Sequence, residues 1–402
     1  MRRLLQSLNR LPLPLQLFFR ALRGPRSPIF KLYLLVQGAR PRPTPPPTDL
    51  PDAPKRVFIA PVNAAEQAML WAGALEAHVP GVGARNMVAP IVGGSIFEIT
   101  EPVPLGAFHL SKAWQRAEFQ RVTEFTHVLV ESQEVMFGGL FRYDPARETR
   151  ALHDRGVSVA ALSHGSDTRN PRAHAERTPW SPFRAHHPET AMLQHLSDAN
   201  RARMARLGLP VFVSTPDLLD DLPEARWCPL VVEPVFRHTP ATPLLKETVP
   251  VVTHIPSRGW LKGSELIEPI ATALATEGKI SYRPLEGIPR QEMAAAYASS
   301  DILLEQFRIG SYGATAIEAM AAGRVIVGHV LPSVREHVLR ATGRELPIVE
   351  ATPDTLKLVL ENLISDPSRM RALGEEGRAF VDAVHDGRLS AAALAEHWIL
   401  RD

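Results

Sequence analysis

The amino-acid sequence predicts an α/β protein with two doubly wound domains that face each other across a cleft. Short apolar runs of strand length alternate with longer, helix-forming stretches from residue 56 to residue 388. This alternation is typical of parallel sheets whose strands are joined by crossover helices. A chain of 402 residues is long enough for two such domains, each with a full hydrophobic core.

The domain limits are predicted from changes in composition along the chain. Residues 41–51 read PRPTPPPTDLP, which is typical of an extended linker, and a Pro-rich segment follows Glu233. We therefore expect four parts: a basic arm with its linker over 1–50, a first domain over 51–240, a second domain over 241–388, and a C-terminal helix over 389–402.

Charge is segregated between the arm and the body. The chain is 45% hydrophobic and 22% charged, which is typical of a globular protein. Residues 1–48 carry nine Lys or Arg and no acid, whereas the remainder has 43 acidic against 36 basic residues. Nucleic-acid-binding domains usually carry a basic patch on the folded body, so we expect no nucleic-acid partner.

The basic arm leaves two interpretations open. Residues 1–40 are either an extra element that packs on the domains with its arginines in solvent, or an interfacial arm on an anionic membrane. No apolar run reaches the length of a membrane span, and Pro12 and Pro14 interrupt the only candidate for a signal-peptide core. The single cysteine, Cys228, is expected in the core of a cytoplasmic protein, which can also lie against the inner face of a membrane.

Five strands are expected in the first domain, and the loops after two of them carry candidate ligand contacts. The loop after the first strand contains Asn63, which either caps the next helix or contacts a ligand. His164 directly follows a strand, where α/β folds place ligand contacts, and Asp167 is expected as a turn residue. The expected strands are 57–60, 127–130, 157–162, 209–214 and 225–232.

Residues 168–188 are rich in Arg, His and Pro and are expected to form a long loop or lid. His186 and His187 lie in it. A metal site would need a third ligand at a suitable spacing, and the sequence offers none, so we expect no metal.

The second domain opens with a candidate diphosphate site. A strand at 249–253 is followed by HIPSRGWLKG and a helix from residue 264. Arg258 and Lys262 flank the turn before this helix. Two cations together with the free N–H groups of a helix N-terminus can bind a diphosphate without a metal.

The stretch from Asp301 to Val327 predicts one strand–loop–helix–strand unit. A strand at 302–304 leads to a loop bounded by Gly310 and Gly313, then to a helix at 314–322 and a strand at 325–327. The backbone amides of Ser311, Tyr312, Gly313 and Ala314 are expected to face the cleft. Glu318, one turn into the helix, can accept hydrogen bonds from the paired hydroxyls of a ribose.

The segment GSYGATAIEAMAAGRVIVG resembles the donor-site signature of GT-B glycosyltransferases of the GT4 type. The resemblance extends over residues 56–388 and implies two Rossmann-like domains, with the acceptor on the first and a nucleotide-sugar donor on the second. Enzymes of this type carry two glutamates eight positions apart. Glu318 matches the second, whereas Gly310 stands in place of the first.

The same resemblance implies roles for the other candidates. His164 would face the donor sugar as the catalytic-site histidine, and Arg258 with Lys262 would hold the nucleotide diphosphate. The reaction would be a metal-independent hexosyl transfer to a hydroxyl acceptor with retention of configuration and no cofactor. The last helix would cross back to the first domain.

Two alternatives from other classes remain open. Gly310, together with a first loop that lacks glycine, is compatible with a protein that binds a nucleotide sugar without transferring it. An epimerase can also be built on the same fold. The sugar, the base and the acceptor cannot be read from the sequence, although a membrane-facing arm would suit a lipid-linked acceptor.

Overall fold

The computed structural model describes residues 14–15, 24–90, 100–184, 187–240 and 243–401. Helix α1 (Pro28–Val36) of the basic arm precedes the first sheet. It begins after Ser27, whose hydroxyl accepts a hydrogen bond from the N–H of Ile29. The side chain of Leu34 is fully buried, so one face of the helix packs on the body of the protein.

The first sheet has six parallel strands in the order β2-β1-β3-β4-β5-β6. Its central strands are mostly apolar and are buried except at their first residues, because helices cover both faces of a parallel sheet. The strands are β1 (Lys55–Ala60), β2 (Val82–Asn86), β3 (His127–Glu131), β4 (Ser158–Ser163), β5 (Val211–Val213) and β6 (Arg226–Trp227).

Helices connect these strands, and several begin at residues that satisfy the free N–H groups of a first turn. Asp144 accepts from the N–H of Ala146, and Asn170 accepts from the N–H of Arg172. The helices are α2 (Gln67–His78), α3 (Leu105–Leu110), α4 (Lys112–Val122), α5 (Pro145–His153), α6 (Pro171–Arg177), α7 (Thr190–Leu207) and α8 (Pro234–His238).

The second sheet has five parallel strands in the order β11-β10-β9-β7-β8. The strands are β7 (Val251–His254), β8 (Ser281–Pro284), β9 (Ile302–Leu304), β10 (Val325–Gly328) and β11 (Ile348–Glu350). The helices around it are α9 (Gly259–Lys262), α10 (Ser264–Thr276), α11 (Arg290–Ala298), α12 (Ala314–Ala321), α13 (Pro332–Thr342), α14 (Leu356–Ile364) and α15 (Pro367–Val384).

The end of the chain packs on the first sheet. Helix α16 (Arg388–Leu394) is followed by a wider π turn over Ala395–Ile399. The hydroxyl of Ser390 donates to the carbonyl of Pro229 at 2.7 Å, and the indole of Trp398 donates to Ser158 at 2.9 Å. The chain therefore returns from the second sheet to the first.

The predicted fold class is confirmed, since two parallel sheets alternate with helices. The strands differ from the prediction in three places: one predicted strand is shorter and two strands were not predicted. The strand expected over 225–232 is limited to Arg226–Trp227, because Pro229 lacks an N–H for the sheet. Strands β2 and β11 were missed. Both lie at sheet edges, where a short or partly polar segment can pair without an apolar run.

No helix within the described ranges is long and apolar enough to cross a membrane.

The arm is held to the body by close backbone contact. A Cβ atom on Gly106 in α3 would lie 1.6 Å from the carbonyl oxygen of Arg40, so only glycine fits there.

Candidate functional site

A cleft of about 490 Å³ lies between the two sheets, beyond the carboxyl ends of β4, β5, β7 and β9. Parallel sheets commonly bind ligands at this end of their strands. All eight site residues predicted from the sequence line it: His164, Arg258, Lys262, Ser311, Tyr312, Gly313, Ala314 and Glu318. They come from three segments that are far apart in the chain: the loop after β4, the turn around α9, and the loop that runs into α12.

The loop after β1 closes one side of the cleft in an unusual backbone conformation. Asn63, Ala65 and Glu66 all have positive φ angles, between 51° and 61°, although none of them is glycine. The side chain of Asn63 is completely buried, and its Oδ1 accepts from the N–H of Met69 in the first turn of α2. Asn63 therefore caps the helix, as one of the two interpretations expected.

His164 is held by a buried carboxylate at the end of β3. Its Nε2 lies 2.9 Å from Oε1 of Glu131, and its ring stacks on Trp71. The other oxygen of Glu131 accepts from the N–H groups of Val62 and Asn63. One carboxylate thus joins the loops after β1 and β4, and it occupies Nε2 of His164.

The environment of His164 raises the pKa of its imidazole above the ordinary value of 6.5. Burial opposes the charged form, but the hydrogen bond and charge of Glu131, with a smaller contribution from Asp167, outweigh it. Asp167 accepts from the N–H groups of His164 and Gly165, at 3.0 and 2.7 Å, which is the turn role expected for it.

The two predicted diphosphate-binding cations already have acidic partners. Lys262 Nζ lies 3.1 Å from both oxygens of Glu305, a buried residue just after β9. Arg258 is about half exposed, and its Nη2 lies 3.7 Å from Glu189. A bound diphosphate would therefore share these cations with carboxylates of the protein or displace them.

Arg308, a further cation in the loop after β9, is not among the residues that line the cleft. Its guanidinium pairs with Glu265 in the first turn of α10.

The loop before α12 lines the cleft. Helix α12 begins after Gly313 with no side-chain cap, so its first N–H groups remain available for an anion. The Tyr312 side chain points away, into the core, where its hydroxyl lies 3.4 Å from His385 Nε2. Its side chain is therefore not available to a ligand in the cleft, and the prediction that the backbone amides of this loop bind a donor stays a prediction.

Gly310 stands where the GT4-type signature has a glutamate, and the backbone conformation there disfavours any residue other than glycine. Its φ is +72°, and a Cβ atom would lie 2.5 Å from Cγ of Leu331. A non-glycine residue would carry both the strain of the left-handed conformation and a steric clash. The departure from the family pattern is thus built into the loop.

Glu318 is buried in a network of its own. Its carboxylate accepts from Arg290 Nη1 at 2.6 Å and from the hydroxyl of Tyr297 at 3.0 Å. Arg290 also pairs with Glu233, which leads into α8. Burial raises the pKa of the Glu318 carboxyl, although Arg290 and Tyr297 favour its ionised form. Each carboxylate oxygen can still accept a second hydrogen bond.

Three buried polar atoms of the cleft have no hydrogen-bond partner within the described part of the chain. They are Oδ1 of Asp217, the hydroxyl of Thr215 and the hydroxyl of Ser311. Arg169 binds only the other oxygen of Asp217, at 2.6 and 2.9 Å. Burial opposes the ionised form of Asp217, but the charge of Arg169 outweighs it and lowers the pKa of this carboxyl. The nearby hydroxyls of Ser311 and Thr215 lower the pKa further, although they lie outside ordinary hydrogen-bond geometry.

Sequence reasoning missed the residues that hold the site together. Glu131 and Asp217 were detectable, because each lies at or just beyond the carboxyl end of a strand. Arg290 is the first residue of helix α11 and gives no comparable signal, because its role depends on how α11 packs against α12.

His186 and His187 are the two neighbouring histidines of segment 168–188 that a metal site would use. His186 lies outside the described residues, and the ring of His187 stacks on Trp260 with centroids 3.6 Å apart. Across the described ranges, no group of three or more His, Cys, Asp or Glu is arranged to hold a metal ion.

Comparison with solved structures shows which known fold this is. WaaG, a glycosyltransferase involved in lipopolysaccharide biosynthesis, superposes with a TM-score of 0.50 at 14% identity, covering 85% of this chain and 99% of WaaG. Sucrose-phosphate synthase from Thermosynechococcus elongatus gives 0.53 at 12%, covering 85% and 98%. A glycosyltransferase from Rickettsia africae gives 0.53 at 11%, covering 88% and 100%.

This chain has the GT-B fold. Its two parallel sheets with their flanking helices match the fold of these glycosyltransferases. At such low identity the likeness establishes the fold alone, and a GT-B fold does not determine a reaction. No family model and no curated protein matches the sequence, so the GT4-type assignment within the GT-B fold stays a prediction.

Proposed function

We propose that this protein transfers a sugar from a nucleotide diphosphate donor to a hydroxyl acceptor. The observation that carries the proposal is the convergence of His164, Lys262, Glu318 and the amides of the loop before α12 on one cleft. These groups were chosen from the sequence for parts of a single donor molecule. Their shared cleft has the cations, uncapped helix N-terminus and carboxylate that such a donor would need.

The diphosphate would lie between Lys262, Arg258 and the N-terminus of α12. Charge that develops on the leaving diphosphate would be stabilised by these fixed cations and N–H groups, without a metal ion. Lys262 is suited to this role because Glu305 and Thr315 hold its ammonium group in place, at 3.1 and 3.4 Å.

The ribose would bind at Glu318, through the lone pairs that Arg290 and Tyr297 leave free. Arg290 and Tyr297 would act as positioning residues, since they fix the carboxylate before the ligand arrives. A ribose contact here would place the base toward Gly287 and Ile288, which line the same end of the cleft.

The sugar would lie between His164 and the unpartnered atoms of Asp217, Thr215 and Ser311. Buried polar groups without partners are costly, and sugar hydroxyls would supply the missing hydrogen bonds. In this proposal Asp217, which follows β5, binds the sugar in place of the glutamate that is absent at Gly310. The transfer would be a hexosyl transfer with retention, as the GT4-type resemblance implies.

The acceptor would bind on the first domain and could be lipid-linked. The support for a lipid-linked acceptor is charge segregation: residues 1–40 form a basic arm for an anionic membrane surface, on the cytoplasmic side.

A thermal-shift panel with UDP, GDP, ADP and their sugar conjugates tests the proposal first. A ligand that binds only the folded state raises the melting temperature, so millimolar ligand reveals a micromolar site. We expect one nucleotide family to stabilise the protein and the double substitution Lys262→Met with Glu305→Gln to abolish the shift. The double variant removes both charges of the buried pair, so it does not leave Glu305 unpaired.

Turnover then separates transfer from the alternatives. Incubation of the stabilising donor with the protein should release nucleoside diphosphate, and Asp217→Asn should slow this release. Binding without any release would favour the nucleotide-sugar-binding alternative, and a changed sugar on intact donor would favour an epimerase. If no nucleotide stabilises the protein, the proposed function is wrong.

A further inference from the structure

The outer face of helix α1 is apolar and exposed to solvent. Ile29, Leu32, Leu35 and Val36 are 58, 64, 45 and 75% exposed, and they lie together because residues three and four apart share a helix face. The opposite face is buried through Leu34. A helix that is apolar on both faces would normally be covered on both.

A cationic pocket of about 540 Å³ adjoins this face. It is lined by Arg26 and Lys31 of the arm, by Lys112 at the start of α4, and by Arg142. No acidic residue of the described chain lines it. Arg26 donates to the carbonyl oxygens of Arg142 and Tyr143, so the arm itself forms one wall.

The charges in this pocket repel one another. Burial lowers the pKa of Lys112, and the charges of Lys31 and Arg116 lower it further. Lys112 Nζ donates to the carbonyl oxygen of Gly139 at 2.9 Å and to Gln115 at 3.2 Å, which are neutral partners. Such a cluster is stabilised by an anion, and several converging donors suit the oxygens of a phosphate.

We propose that this surface docks on an anionic phospholipid membrane, with a lipid headgroup phosphate in the pocket and the apolar face of α1 in the interface. The cationic pocket and the apolar face together favour a membrane as the partner. A free phosphate would use the cations alone, whereas a membrane surface also buries the four adjacent apolar side chains. Residues 1–48 as a whole contain basic residues and no acidic residue, which also favours an anionic surface. This inference concerns a surface of the first domain and does not depend on sugar transfer.

Vesicle flotation with the full-length protein tests the docking surface. We expect binding to vesicles of phosphatidylcholine with phosphatidylglycerol and much weaker binding to phosphatidylcholine alone. Lys31→Glu, at an exposed position, should weaken binding roughly tenfold or more, since each basic residue near the surface contributes about 1 kcal/mol. Lys112→Met should also weaken binding, by removing a pocket charge. Leu32→Asp should weaken it because it places a charge in the apolar face.

Matched controls lie on the second domain. Arg371→Glu makes the same charge change as Lys31→Glu at another exposed position, and Leu358→Asp, at 61% exposure, matches Leu32→Asp. Both should bind vesicles like the wild type. Equal binding to the two kinds of vesicle, or variants indistinguishable from their controls, would overturn the proposal.

Two further results would assign the surface to another occupant and so reject the membrane. Inorganic phosphate could bind Lys112 in solution while vesicles do not bind at all. Alternatively, the wild type could form a dimer in solution that Leu32→Asp dissolves, in which case a second copy covers the face. Because these readouts need no donor, they are independent of whether the protein transfers sugar.

Discussion

At the scale of single residues, Glu131 shows how one carboxylate can organise a site. It accepts from two backbone N–H groups and pairs with His164, and its side chain is inaccessible to solvent. Substitution Glu131→Gln should cost about 1–3 kcal/mol of folding free energy, since a buried group loses its charged partner. It should also lower the pKa of His164.

The pH dependence follows from the sign of that shift. Because the folded-state pKa of His164 is raised, its contribution to stability is fully present below pH 6.5 and is lost as the pH rises through the raised value. The loss of stability in Glu131→Gln should therefore be larger in mild acid than in alkali. Urea unfolding across this range and NMR titration of His164 measure both effects, with exposed His153 as the internal control. An unchanged His164 titration would contradict the assignment.

Gly310 offers a second test at this scale. Gly310→Glu, which introduces the glutamate of the GT4-type signature, should lower the free energy of unfolding by roughly 2–4 kcal/mol, from left-handed strain and overpacking against Leu331. Gly343→Ala is the control, because Gly343 has φ +67° but open space around it. Thermal melts compare them, and a Gly310→Glu protein as stable as Gly343→Ala would show that Leu331 gives way.

At the scale of elements, the end of the chain stabilises the protein by covering part of the first sheet. Trp398 is 3% exposed. It packs edge-on against His127 and donates a hydrogen bond to Ser158, and both of these residues lie on the first sheet. Trp398→Ala should cost about 3–5 kcal/mol through the cavity it leaves. Leu400→Ala, at a position 53% exposed, should change stability by less than about 0.5 kcal/mol. Denaturant unfolding compares the two, and similar values would mean that the end of the chain does not secure the first sheet.

Edge elements were the least predictable from sequence. β2 has the sequence VGARN, in which only the first three residues are buried, and β11 has three residues. Neither has the apolar run that identified the central strands. Their pairing with β1 and β10 is decided by neighbours distant in sequence rather than by their own composition.

At the scale of the whole molecule, polar contacts hold the two sheets' domains against each other near the cleft. Asp220, after β5, accepts from the hydroxyl of Ser333 at 2.7 Å and lies 2.9 Å from His337 Nε2, both on α13. His174 lies 2.9 Å from the carbonyl oxygen of Ile309 in the loop of Gly310. These contacts make the relative position of the domains sensitive to a few groups.

Asp220→Ala should open the cleft without unfolding either domain. It removes both contacts to α13, so the radius of gyration measured by small-angle X-ray scattering should increase. The melting temperature should change little, because a partly exposed pair contributes at most about 1 kcal/mol. Asp198→Ala, which loses only contacts to Gln194 and Arg201 within α7, should leave the radius unchanged. An unchanged radius in both would mean that other contacts keep the domains together.

The sequence by itself determined the order of the elements and the loops that line the cleft. Periodicity and glycine positions are local, and the carboxyl ends of parallel strands meet at one edge of a sheet, so His164, Lys262 and Glu318 could be selected as candidates. Only the tertiary structure decided their partners. Glu131 meets His164, Glu305 meets Lys262 and Arg290 meets Glu318 because of strand order and helix packing, which no local pattern encodes.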